Sequence, residues 1–235
     1  MQNRHRRATI FQKFTIHQSK LLEDVRKKSV ALIKGQGFKE NIMDEIYLDS
    51  IRQKPVSLDE LVRKTKFSKR ELKILYRGFK QECPSGTINE EKFSNILCQF
   101  YPNGDASMYA FLIFPTFDKN RCGFLTFEDL LVALSKITRG SIEERLSWMF
   151  SVYDRNADGY ITFNEILEVD KAVHAMVGKH SQPIDPGLTI ASHASEAFER
   201  LDIDKDGQIS ESDFYQAMYN NEFLFDSLKQ LDTVL

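Results

Sequence analysis

One twelve-residue pattern recurs along this chain and limits what it can fold into. Three segments carry oxygen-bearing side chains at alternate positions, a Gly at the sixth and an aliphatic residue at the eighth. They are DKNRCGFLTFED (118–129), DRNADGYITFNE (154–165) and DIDKDGQISESD (202–213). A weaker copy, QECPSGTINEEK (81–92), precedes them. Apolar residues at helical spacing flank the copies: Leu72, Leu75, Tyr76 and Phe79 before the first, Leu146, Met149 and Phe150 before the third, and Ala197, Phe198 and Leu201 before the fourth. The pattern predicts helix, loop and helix, four times over.

The spacing suits a hard divalent cation. Ca2+ takes six to eight oxygens at about 2.3–2.6 Å, supplied by side chains at positions 1, 3 and 5, a backbone carbonyl at 7, position 9 and a two-oxygen Glu at 12. These are EF-hand loops. The third fills every position with Asp154, Asn156, Asp158, the Tyr160 carbonyl, Thr162 and Glu165. The fourth has Asp202, Asp204, Asp206, the Gln208 carbonyl and Ser210, but ends in Asp213, one methylene short of Glu. Ca2+ is expected there more weakly than in the third, with Mg2+ as the other candidate because fewer ligands favour an octahedral ion. In the second, Asp118, Asn120 and Asp129 make a weak or absent site, because the Cys122 thiol is a poor partner for a hard cation. The first, with Gln81, Cys83, Pro84 and Lys92, is expected to be metal-free. Hands pair through their eighth residues, so the expected fold is all-α: four hands in two lobes, with short loop-pairing strands and a C-terminal helix.

The 235 residues carry a formal charge of -2 that hides an asymmetry. Residues 1–80 hold 20 Lys/Arg against 9 Asp/Glu, and residues 81–235 hold 12 against 25. The expected division is a basic region at 1–54, a first pair of hands at 55–137 and a second at 138–235. No apolar run is long enough to span a bilayer, and no signal peptide is visible. Met1-Gln2 is not an N-myristoylation start. Cys83, Cys98 and Cys122 read as reduced thiols of a cytosolic or nuclear protein. Hydrolase, zincin and nucleotide-loop motifs are missing, so an enzyme is not expected.

The basic stretch 9–34 has Ile10, Phe14, His17, Leu21 and Val25 at helical spacing, and GQGF (35–38) breaks it. Ser57 is a helix N-cap candidate, with Glu60 at capping-box distance. HSQPIDPGLT (180–189) reads as a loop, and the tail from Glu222 as a terminal helix. Apolar phases at 72/75/76/79, 93/96/97/100 and 110/113/114/117 define one stripe per helix. About half of these residues belong to a core. The set Tyr76, Phe79, Phe93, Ile96, Phe100, Tyr109, Phe114 and Phe117 is the candidate lining of a groove for an amphipathic partner helix.

Longer runs are specific. FSKRELKILYRGFKQECPSG (67–86), whose Cys-Pro disables the first hand, resembles the neuronal calcium sensor, recoverin-like proteins. LYRGFKQECPSG, QFYPNGDASMYAFLIFPTFD and LSKITRGSIEERLSWMFSVYDRNADGYIT resemble the Kv channel-interacting proteins, over roughly residues 55–235. That resemblance implies a cytosolic auxiliary subunit of Shal-type, A-type potassium channels. It would seat the channel's N-terminal segment in the groove and reach the inner face of the plasma membrane through the channel. Cys122 and Asp213 depart from the family pattern. Relatives also act as calcium-released DNA-binding repressors or regulate cyclases and receptor kinases. A calcium buffer and a homo-oligomer are further alternatives. Basic residues 63, 64, 66, 69 and 70 could contact phosphates or form one solvated helix face.

Overall fold

The computed structural model describes residues 57–178 and 189–220. The basic stretch 9–34, GQGF, most of the 180–189 loop and the tail from Asn221 lie outside them. The described residues form nine helices and four short strands. In chain order these are α1 (Leu58–Lys64), α2 (Lys69–Glu82), β1 (Thr87–Asn89), α3 (Glu90–Phe100), α4 (Ser107–Phe117), β2 (Phe124–Thr126), α5 (Phe127–Arg139), α6 (Ile142–Tyr153), β3 (Tyr160–Ile161), α7 (Phe163–Val177), α8 (Ile190–Leu201), β4 (Ile209–Ser210) and α9 (Glu211–Tyr219).

Each loop lies between an entering and a leaving helix, as the pattern predicts. The loops pair through their eighth residues. β1 and β2 run antiparallel with Ile88 opposite Leu125, and β3 and β4 with Ile161 opposite Ile209. All four side chains are buried. Two strands this short are not stable alone. They hold because one apolar cluster runs beneath both pairs, from Leu61 through Leu125 and Ile161 to Met218. None of the described helices is long and apolar enough to cross a membrane.

The helix starts follow local chemistry. The Ser57 hydroxyl accepts from the Glu60 amide at 3.2 Å. The Glu60 carboxylate does not complete the box, because it pairs with Lys64 at 2.7 Å. Ser68 with Glu71 and Ser141 with Glu144 form full capping boxes. In the loops, positions 9 and 12 do the same: Thr126 with Asp129, Thr162 with Glu165, and Ser210 with Asp213. The residues that would hold a cation therefore also start the leaving helix.

Backbone packs on backbone between the lobes. The Asp105 amide donates to the Ala175 carbonyl at 2.8 Å. A Cβ on Gly104 would lie 2.1 Å from the Met176 carbonyl oxygen, and one on Gly178 would lie 2.0 Å from that of Asn103. The turn before α4 is thus fastened to the end of α7. Trp148 of α6 adds a bond from its Nε1 to the Thr116 hydroxyl of α4, at 3.0 Å.

Candidate metal centre

The third loop folds around its carboxylates. Asp154 accepts from the Asp158 amide through Oδ1 at 3.1 Å, and from the Gly159 amide through Oδ2 at 3.0 Å. Asp158 accepts from the Tyr160 amide at 2.9 Å. Glu165 closes the ring. Its Oε2 accepts from the Thr162 amide and hydroxyl at 2.8 and 2.7 Å, and its Oε1 accepts from the Arg155 amide at 3.1 Å. The side chain thus spans the loop from position 12 to position 2. Gly159, at φ 87°, makes the turn that brings the ends together. Asp154, Asn156, Asp158, Thr162 and Glu165, with the Tyr160 carbonyl, form an all-oxygen set of the kind Ca2+ requires.

The fourth loop repeats the turn with different details. The Gly207 amide donates to Asp202 Oδ2 at 3.1 Å, and the Gln208 amide to Asp206 at 2.8 Å. The Asp206 amide donates to Asp204 at 3.2 Å. Asp202 is 8% exposed, and its Oδ1 is buried without a hydrogen-bond partner. Ligand atoms of Asp202, Asp204 and Asp206 lie within 4.8 Å of one another, the one such cluster of His, Cys, Asp or Glu among the described residues. A buried, unpartnered carboxylate oxygen in an acidic cluster is costly unless a cation meets it. Asp213 accepts only from the Ser210 amide and hydroxyl, at 3.1 and 2.6 Å, and does not span its loop.

The second loop keeps the backbone of a metal loop. Its fourth and sixth residues, Arg121 and Gly123, have φ of 50° and 80°; in the third loop Ala157 and Gly159 have 57° and 87°, and in the fourth Lys205 and Gly207 have 60° and 89°. What differs from both is the fifth residue, and from the third loop also the twelfth, Asp129. The Cys122 thiol lies 3.4 Å from Asp118 Oδ1 and 3.1 Å from the Phe124 carbonyl, the oxygens of positions 1 and 7. The first loop keeps its sixth-position turn, with Gly86 at φ 83°, but leaves this geometry at the fourth. Pro84 occupies its fourth position, where the ring forbids positive φ. Lys92, at position 12, lies 3.9 Å from Glu82, so an ammonium faces the carboxylate at position 2.

Residues 143–219 match the family model of the EF-hand domain pair. The match spans the third and fourth loops and their helices. The fold is all-α and EF-hand, and such a pair is a calcium-binding unit.

The candidate groove residues sit mostly inside. Phe79, Phe93, Tyr109, Phe114 and Phe117 are buried, and Tyr76 and Ile96 are partly so. The side chain of Phe100 lies outside the described residues. Phe93 meets Phe114 and Phe117 at 5.5 Å between ring centroids, and Tyr76 and Phe79 meet Phe127 at 5.1 and 5.2 Å. Of the basic cluster, Lys64 faces Glu60 and Glu128, Lys66 faces Glu144, and Lys69 faces Asp59. Much of that charge is already matched.

Sequence reasoning missed two features beside the centre. Asp170, on α7, is 1% exposed with both carboxylate oxygens unpartnered, and burial lifts its pKa to about 7. Burial, with the Asp170 charge and the Tyr109 phenol adding to it, raises the phenol of Tyr153, next to the first ligand of the third loop. The available signal was an acid inside the apolar phase Ile166, Val169, Val173. The second feature is Arg155, whose guanidinium pairs with Glu168 at 2.8 Å and stacks on Phe111 of α4.

Proposed function

We propose that this chain is a calcium sensor that serves as an auxiliary subunit of a Shal-type, A-type potassium channel. The observation that carries the sensing half is the complete oxygen set of the third loop, closed by Glu165. Two lobes divide the work. In the first pair, Lys92 facing Glu82 and Cys122 against Asp118 keep the loops folded without a cation. The second pair supplies the calcium response.

The channel half rests on the resemblance of residues 67–86 and the runs that follow. An apolar N-terminal segment of the channel would enter between the helices of the first pair. Tyr76 and Ile96, the partly exposed members of the set, would meet it first. The test is calorimetric titration of the full chain with a Shal-type N-terminal peptide, once with Ca2+ and once with chelator and Mg2+. Micromolar or tighter binding supports the channel reading, and the difference between conditions measures the coupling. No binding in either condition would sink the channel partner and leave the calcium chemistry standing.

A further inference from the structure

We propose that the fourth loop is a magnesium site, and that the third loop alone responds to calcium. This rests on the metal-binding reading of both loops, but the two loops are built differently. In the third, the fifth-position amide is shared between Asp154 Oδ1 and Asn156 Oδ1, so the first-position oxygen is partly committed. In the fourth, the equivalent Asp206 amide keeps the bond to the third position, Asp204, but not the one to the first, and Asp202 Oδ1 is left buried and unpartnered among three clustered carboxylates. That corner presents dense negative charge to a small ion.

The far side of the loop points the same way. Glu165 reaches across to the Arg155 amide. Asp213 is one methylene shorter and stays on its own cap, with Oδ2 held by Ser210. Ca2+ gains most from a two-oxygen ligand at position 12 and from a shell of six to eight oxygens. Mg2+ needs a near-regular octahedron at about 2.0–2.1 Å and keeps several waters. Three single-oxygen carboxylates, the Gln208 carbonyl and water satisfy that demand. The fourth loop then carries its ion at resting calcium and stabilises the pair, and Glu165 is left as the switching ligand.

The test uses the full chain stripped of metal, followed by calorimetry and by the backbone amide resonances of Gly159 and Gly207. Mg2+ alone should bind once and shift Gly207 but not Gly159. Ca2+ added in millimolar Mg2+ should then bind once and shift Gly159, a step that Glu165→Gln removes. Asp213→Glu should add a second calcium step in the same Mg2+. The proposal is overturned if micromolar Ca2+ displaces Mg2+ from the unaltered fourth loop and shifts Gly207. It is also overturned if Mg2+ leaves Gly207 unmoved while Ca2+ still shifts Gly159. If neither glycine responds to either ion, the metal-binding reading itself fails.

Discussion

The guanidinium carbon of Arg155 sits 5.1 Å from the centroid of the Phe111 ring. Arg155 is the second residue of the third loop, and Phe111 belongs to the other pair of hands. The same residue gives its amide to Glu165 and its guanidinium to Glu168. One residue therefore touches the loop's candidate closing ligand through its amide, and the leaving helix and the neighbouring lobe through its side chain.

Phe111 is 51% exposed, so its stacking contribution is that of a surface cation–π contact, about 0.5–1 kcal/mol. Phe111→Ala and Arg155→Gln, alone and together, should give a coupling energy of that size in denaturant unfolding. Additive effects would show that the contact contributes nothing.

Cys122→Asp together with Asp129→Glu should create a calcium step absent from the parent. Arg121 and Gly123 already hold the left-handed geometry shared with the third and fourth loops, and only the fifth and twelfth ligands are wrong. Cys83→Asp in the first loop should create none, because Pro84 and Lys92 remain. Calorimetry on both variants distinguishes a backbone already shaped for metal from one that is not.

Glu165→Gln should remove the tightest calcium step while leaving α7 capped, since a Gln oxygen still accepts from the Thr162 amide. Far-ultraviolet circular dichroism should be unchanged as the titration loses that step. An unaltered titration would place the tight site elsewhere.

Asp170 makes stability fall as pH rises. Its folded pKa, about 7, lies above the ordinary 3.8, so between these values the unfolded chain releases a proton that the folded chain keeps. The penalty is absent below the lower value, grows through the window and levels off above about 7. Asp170→Asn should therefore stabilise the protein increasingly from pH 4 to 7. The ceiling is about 4 kcal/mol at 1.36 kcal/mol per pH unit. Thermal unfolding of both proteins in chelator across that range is the check. A constant difference between them would contradict the buried, neutral carboxyl.

The loops were readable because their chemistry is local. Twelve adjacent residues carry the candidate ligands, the turn glycine and the eighth-position aliphatic, and Ile88, Leu125, Ile161 and Ile209 pair as that spacing requires. The Ser57 cap was local too. The stripes at 93/96/97 and 110/113/114/117 gave the buried faces of α3 and α4, but a stripe does not distinguish a closed core from an open groove. Five of the eight candidate groove residues are buried. Pro115 sits inside α4, in its last turn and off the apolar phase, so the pattern was silent about it. Contacts between distant segments left no mark in the sequence: Gly104 with Met176, Arg155 with Phe111, and Trp148 with Thr116.

The position of Glu165 at the start of α7 has a mechanical consequence. The helix runs 15 residues, about 22 Å at 1.5 Å per residue. One end is a candidate cation ligand, and the other is bolted to the opposite lobe at Ala175 and Met176. It is a lever whose short arm is a carboxylate. A tilt of about three degrees at the loop becomes roughly 1 Å at the bolt, through a rod with that rise per residue. At that contact Gly104 puts backbone directly against the Met176 carbonyl, with no side chain between the lobes to cushion such a tilt.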